Sequence, residues 1–257
     1  MYFNDVSIVI YLLIAFLGLF VGKFCAWCNM RLPENKKIFS KDFFVENKKG
    51  LKNNYIFMIA ISIIYILLLY RFGINKVDFY KNLDLIKYLF LTPLLLLTFT
   101  IDIKHRRIPN RLNLTIFEIG ILLSFVYGII NVNMAKDYFL GMLLGAGIFA
   151  LIGVLGGIVS GKEAMGLGDI KFMGAIGIYF SIGTVAEISL LAFCIAAICS
   201  ILILLYRLLI LKTNDEYVAF GPFMAMAVFA CIFLPPNTVF DTFLGFCKVL
   251  GDKISMF

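Results

Sequence analysis

One histidine and six cysteines in 257 residues leave little from which to build a metal site. Cys25-Ala26-Trp27-Cys28 is a lone CxxC, whereas a four-ligand zinc site assembled locally from Cys and His needs a second pair. Cys194, Cys199, Cys231 and Cys247 are spread along apolar runs, which excludes a disulfide framework of the secreted kind. No metal is expected. Charge is also scarce, at 15% of residues, too little to cover a soluble domain of this length. The first five residues, Met1 to Asp5, hold no basic side chain, so the first apolar run does not open like a secretory signal.

Apolar side chains are what the chain has instead. They make up 62% of it, with a mean hydropathy of +0.97, so the expected class is an all-α, polytopic integral membrane protein. The net charge of +7 suits a protein seated on an anionic leaflet, and the lipid bilayer is the first expected partner. No basic helix or aromatic-basic patch stands apart from the apolar runs, which excludes nucleic acid as a partner.

Runs of the length needed to cross hydrocarbon predict eight spans, at about 6–28, 55–70, 83–101, 112–130, 138–160, 170–182, 185–211 and 217–234. The tail from Pro235 is read as an amphipathic turn or two at the outer surface. Eight spans put both termini on one side. Lys and Arg in the alternate loops divide fifteen against seven, and such residues accumulate in the cytoplasm, so both termini are expected outside. The whole of 1–257 reads as one membrane-embedded domain with a short basic cytoplasmic loop at 29–54. Its oligomeric state is not legible.

Two carboxylates then share the cytoplasmic edge. Asp102 closes the third apolar run and is followed by Lys104-His105-Arg106-Arg107-Ile108-Pro109-Asn110. Asp169 stands in Gly166-Leu167-Gly168-Asp169-Ile170-Lys171, at the threshold of the sixth run. Either alone reads as a helix-end residue. Together they form a candidate catalytic pair, because acids at the edges of membrane segments are costly and functional by default. The glycines ahead of Asp169 let another backbone lie against the turn. The sixth run, of about 13 residues and near 20 Å, is too short for a full bilayer and implies a water-lined cleft. Two neighbouring carboxyls share a proton, so the ionised one can activate water while the protonated one polarises a peptide carbonyl. Lys104, Arg106, Arg107 and Lys171 would favour ionisation of one member.

Other features are assigned quieter roles. Gly141, Gly145, Gly153, Gly157 and Gly161 recur at steps of four or eight, broken by Phe149, and read as a tight helix-packing stripe. Glu118 and Glu187 are given hydrogen-bonded packing roles. His105 is a solvated loop histidine. Phe220-Gly221-Pro222-Phe223 is a break at the entrance of the last span.

These motifs, in this order, resemble those of the bacterial type IV prepilin peptidases, membrane aspartyl peptidases. Asp102 with Ile108-Pro109-Asn110 is similar to the family's first aspartate motif, and Gly166 to Lys171 with Gly174 and Gly177 to its second. Phe220 to Phe223 is similar to its late Phe-Gly-Pro element, and Gly22 through Arg31-Leu32-Pro33 to its N-terminal signature. The resemblance implies Asp102 and Asp169 as catalytic residues, with Gly166, Gly168, Lys171, Pro109 and Asn110 as substrate-binding candidates. It implies cleavage of type IV prepilin or pseudopilin leaders at the cytoplasmic face of a bacterial inner membrane, with no cofactor. Bifunctional members also methylate the new N-terminus, so S-adenosylmethionine is expected only if this chain does so. Ala26 stands where the family has an Asn, and 34–54 lacks the two CxxC pairs that many members carry, which puts methylation in doubt. The competing class is a proton- or cation-coupled transporter using the same acids as a relay. No inverted repeat supports it, and the acids sit at an edge and not at the midplane. A catalytically silent assembly scaffold is the third reading.

Overall fold

The computed structural model describes residues 2–3, 6–38, 51–74, 79–161, 165–206, 208–209 and 218–254. Residues 39–50 of the expected basic loop, Lys162, Arg207 and Lys212 lie outside them. A small antiparallel ribbon, β1 (Tyr2–Phe3) and β2 (Val6–Ser7), pairs Phe3 with Val6. Nine helices follow among the described residues: α1 (Ile8–Arg31), α2 (Leu51–Phe72), α3 (Phe79–His105), α4 (Asn110–Ile130) and α5 (Val132–Ser160), then α6 (Leu167–Gly177), α7 (Ile182–Tyr206), α8 (Gly221–Phe233) and α9 (Thr238–Ile254).

The all-α polytopic expectation holds, with a different count of spans. Six helices are long and apolar enough to cross a membrane, or seven if α8 and the Thr238–Lys248 part of α9, bent by 105°, count as one. The expected sixth span is the 11-residue α6, roughly 16 Å long. It starts three residues earlier than expected, because Gly166 is its N-cap, and stops early in the turn where Tyr179 N–H bonds Ile176 O. The expected eighth span is the 13-residue α8, which Pro222 starts and the turn at Leu234 ends. The expected fifth span also begins early, since Asn131 caps α5, its side chain accepting from Asn133 N–H at 3.0 Å. The tail holds a 17-residue helix, not a turn or two. Its apolar residues are spaced at helical period and form no continuous run, so a search for apolar runs undercounts them.

The chain packs as two compact units, Met1–Ile119 and Gly120–Phe257, with the boundary falling inside α4. In the first, α1 and α2 approach until backbones touch. A Cβ added at Gly18 would lie 2.6 Å from Ser62 Cα, and one at Gly22 would collide with Met58 Cα. Gly18 and Gly22 are thus a GxxxG seam, and Ser62 Oγ closes it by donating to Ala15 O at 2.9 Å. Pro93 lies inside α3 and has no N–H for the carbonyl four residues back. That carbonyl, Leu89 O, accepts instead from the Tyr65 hydroxyl of α2 at 2.7 Å. Tyr65→Phe should therefore strand a carbonyl in apolar surroundings and cost about 1–3 kcal/mol. Thermal unfolding in detergent should register it as a lower Tm; an unchanged Tm would show that the bond contributes nothing.

In the second unit the glycine stripe of α5 seats α6. A Cβ at Gly141 would lie 2.5 Å from Phe180 O and 2.7 Å from Gly177 O; one at Gly145 would lie 2.7 Å from Met173 O. Gly177 meets the stripe from the other side, against Gly141 O. The stripe loosens toward Gly153, where neighbours stand 3.5 Å away or more. It ends at Gly161, which takes a φ of 67° and donates to Gly157 O. Phe149, the aromatic that interrupts the glycines, is fully buried and stacks on Phe193 at 5.2 Å, with Phe220 at 5.9 Å. The start of α7 is capped by Ser181 and by Asp137 of α5, whose Oδ1 accepts from Ile182 N–H at 3.2 Å.

Candidate active site

Asp102 lies in the last turn of α3 and is buried, 3% exposed. Its carbonyl accepts from Arg106 N–H at 2.8 Å, and Arg106 takes the left-handed conformation, φ 53°, that stops the helix. A non-glycine residue there costs about 1–2 kcal/mol. Ile108 precedes a proline and is biased away from helical geometry, so the chain must turn. Pro109 then opens α4, its carbonyl accepting from Leu112 and Asn113 N–H. Pro109 is half-buried and Asn110 exposed. A short loop therefore carries the expected Asp102-to-Asn110 motif, with Lys104, His105, Arg106 and Arg107 all exposed.

This loop is tied to the chain just after α1. Arg107 Nη2 donates to Pro33 O at 3.1 Å, and Arg111 Nη1 to Lys36 O at 3.4 Å. Arg31, buried, lies with its guanidinium 4.2 Å from the Trp27 ring centroid and donates to Lys37 O at 2.9 Å. Trp27 Nε1 adds a bond to Ile38 O at 3.0 Å. Thr100 of α3 also donates to Asn29 Oδ1 of α1, at 3.2 Å. Three arginines that count as cytoplasmic charge in the sequence are thus bonded to backbone carbonyls. Glu34 pairs with Lys36 on the outside of the strap, and this hydrogen bond holds its carboxyl below the usual range. Arg31→Met should release residues 33–38. A charge-assisted bond of about 1.5–3 kcal/mol is lost, so trypsin should cut after Lys36 or Lys37 about ten- to a hundredfold faster. Cleavage at the parental rate would show that the strap does not hold the loop.

Asp169 belongs to the second unit. It stands in the first turn of α6, half-buried, where an acid is favoured by the helix dipole. Gly166 is the N-cap, and its carbonyl accepts from Asp169 N–H at 3.0 Å. A Cβ at Gly166 would stand in ordinary contact with Asp169 Oδ2, at 3.5 Å. Gly168 is half-buried and Lys171 exposed. Everything from Phe172 to Phe180 is buried, which anchors the helix behind the acid. The Phe220-Gly221-Pro222-Phe223 break is as expected, with Pro222 in the first turn of α8. Its Phe220 joins the Phe149–Phe193 cluster, a link that the irregular Phe149 in the glycine rhythm could have signalled.

Two other acids fare differently. Glu118 is exposed on α4. Glu187, in α7, is 3% exposed, and its Oε1 has no hydrogen-bond partner among the described residues, contrary to the bonded packing role expected of it.

The sequence profile of the Type IV leader peptidase family matches residues 89–201, a stretch containing both motifs. Leader peptidase HopD of Escherichia coli is 33% identical over 133 residues, covering 52% of this chain and 83% of that protein. A prepilin leader peptidase/N-methyltransferase of Xanthomonas campestris pv. campestris is 28% identical over 149 residues, covering 57% of this chain and 48% of that protein. One from Pectobacterium carotovorum subsp. carotovorum is 29% identical over 139 residues, covering 54% of this chain and 47% of that protein. The chain thus spans about half the length of these two relatives. No solved structure matches. With identity at this level across most of a leader peptidase, and both aspartate motifs inside the matched stretch, the chain belongs to the type IV leader peptidase family.

Proposed function

We propose that this chain is an aspartyl endopeptidase of the bacterial inner membrane that removes the N-terminal leader from type IV prepilins or pseudopilins at the cytoplasmic face. The observation that carries the reading is the pair of family motifs on helix ends, Asp102 buried in the last turn of α3 and Asp169 in the first turn of α6. In the proposed reaction the ionised carboxyl takes a proton from water, whose oxygen attacks the peptide carbonyl carbon. The protonated carboxyl gives its proton to the carbonyl oxygen. Collapse of the tetrahedral species breaks the C–N bond, and the proton taken from water passes to the departing amine. No cofactor takes part. Pro109 and Asn110 on one motif, and Gly166, Gly168 and Lys171 on the other, are assigned to the substrate backbone and flanks.

Methylation of the new N-terminus from S-adenosylmethionine is a second reading, favoured by the names of two relatives. Peptidase and methylase separate in one experiment. Membranes holding this chain, and no other leader peptidase, are mixed with a prepilin bearing a basic leader. A mobility shift with a new N-terminus supports the peptidase; no shift against a positive-control enzyme overturns it. Transfer of a labelled methyl group in the same mixture decides the second activity.

A further inference from the structure

We infer that α9 lies flat in the lipid headgroup region beyond the end of α8, with its phenylalanine face in the bilayer. It is an interaction surface for lipid and not the second half of a seventh span.

The corner before it is built to turn. Pro235 and Pro236 cannot continue α8, and Asn237 adopts φ 66°. The Pro235 carbonyl then accepts from Thr238 Oγ1 at 2.7 Å, while Asp241 N–H bonds Asn237 O at 2.9 Å, starting the new helix at once. The two axes differ by 105°. With α8 inserted end-on in the bilayer, a helix set at 105° to it runs along the membrane plane.

The register of α9 gives it two faces. At 100° per residue, Val239, Phe240, Phe243, Phe246 and Cys247 fall on one side, while Asp241, Gly245 and Lys248 fall on the other. Four of its 17 residues are charged (Asp241, Lys248, Asp252 and Lys253), which fits an interfacial helix and not a span. The described protein covers this side only at its start, where Val239 and Phe240 are half-buried; further on, Phe243 is 40% exposed and Phe246 61%, and Leu244, between the two faces, is 63% exposed. Clustered apolar exposure on this scale marks a contact surface. The occupant follows from continuity. The helix packs on α7, a candidate membrane span, and follows the apolar α8, so the lipid around α7 runs on into this face.

The test places nitroxides at 241, 243, 246 and 248 through Asp241→Cys, Phe243→Cys, Phe246→Cys and Lys248→Cys. Each is made with Cys247→Ser, which alone reports background from the other native thiols, and is reconstituted in vesicles of zwitterionic and anionic phospholipid. Positions 243 and 246 should be several-fold more accessible to oxygen than to a water-soluble nickel chelate, at one shared depth of about 5–10 Å. Positions 241 and 248 should show the reverse. A depth that rises steadily from 241 to 248 would make α9 part of a span and overturn the inference. So would shielding of 243 and 246 from both reagents, the result for a second copy packed there, or free access of the chelate to them.

Discussion

Asparagine at Asp102 or at Asp169 should reduce prepilin cleavage about 10²–10⁴-fold, below detection in a mobility assay, while the protein still inserts in the membrane. Asn keeps the size and most of the hydrogen bonding of the acid, but it can neither ionise nor give up a carboxyl proton. The substitution therefore removes chemistry and spares packing, which matters most at Asp102, whose side chain is buried. If the two acids act in one proton-sharing step, the double variant should be no worse than either single one, because residues acting as a unit are non-additive. Glu118→Gln and Glu187→Gln should keep substantial activity, since neither carries a family motif. A transporter reading predicts another pattern: no cleavage by any variant, and sensitivity at Glu118. Robust cleavage by Asp169→Asn, in membranes free of other leader peptidases, would end the two-aspartate mechanism.

What the sequence revealed, and what it hid, follows the range of the interactions. The long spans are legible because each is a local apolar run with local end signals, such as Pro33 after α1, whereas Asn131, which caps α5, lies ahead of its apolar run and does not mark the start in the sequence. The aspartate motifs are legible because each is one contiguous stretch at a helix end. The short helices were overextended. The apolar residues after Gly177 form turns, and those before Gly221 lie outside the described residues or outside helix, so composition alone cannot find the ends. Partnerships between distant segments were invisible. Nothing near Pro93 says that Tyr65 supplies the missing donor, and nothing near Arg31 or Arg107 says that their charges are bonded to the carbonyls of 33–38. Gly18 and Gly22 could have been noticed as a GxxxG pair, but only the structure shows which helix lies on them.

The arginine strap bears on the charge count that set the expected orientation. Lys and Arg bias topology during insertion, before tertiary bonds form, so what those side chains bond later leaves that bias unchanged, although the fifteen-to-seven division assumed eight spans. In the folded chain, however, Arg31, Arg107 and Arg111 are engaged, and their charge is partly directed at the backbone of 33–38. The exposed cations left at the end of α3 include Lys104, whose charge, like that of His105, reaches Glu34. A backbone carbonyl carries no net charge, so these bonds fix the arginines in place without cancelling them, and Glu34 is the acid that offsets positive charge here.

The glycine stripe gives the sharpest structural prediction, because one helix supplies both the variant and its control. At Gly141 an added methyl would lie 2.5 Å from Phe180 O and 2.7 Å from Gly177 O, inside the contact distance of backbone atoms that cannot rotate away. Gly141→Ala should force α5 and α6 apart, at a cost of about 1–3 kcal/mol or more, and so move the helix that carries Asp169. At Gly147 a methyl would meet nothing within 4 Å. Gly147→Ala should instead stabilise α5 by about 0.5–1 kcal/mol through helix propensity, without touching α6. The expected result is a lower Tm and a fall in kcat for Gly141→Ala, against an equal or higher Tm and parental cleavage for Gly147→Ala. Gly145→Ala, which would meet Met173 O at 2.7 Å, should behave like Gly141→Ala. A parental Tm and parental cleavage at both Gly141→Ala and Gly145→Ala would mean that close approach along this stripe does not seat the Asp169 helix.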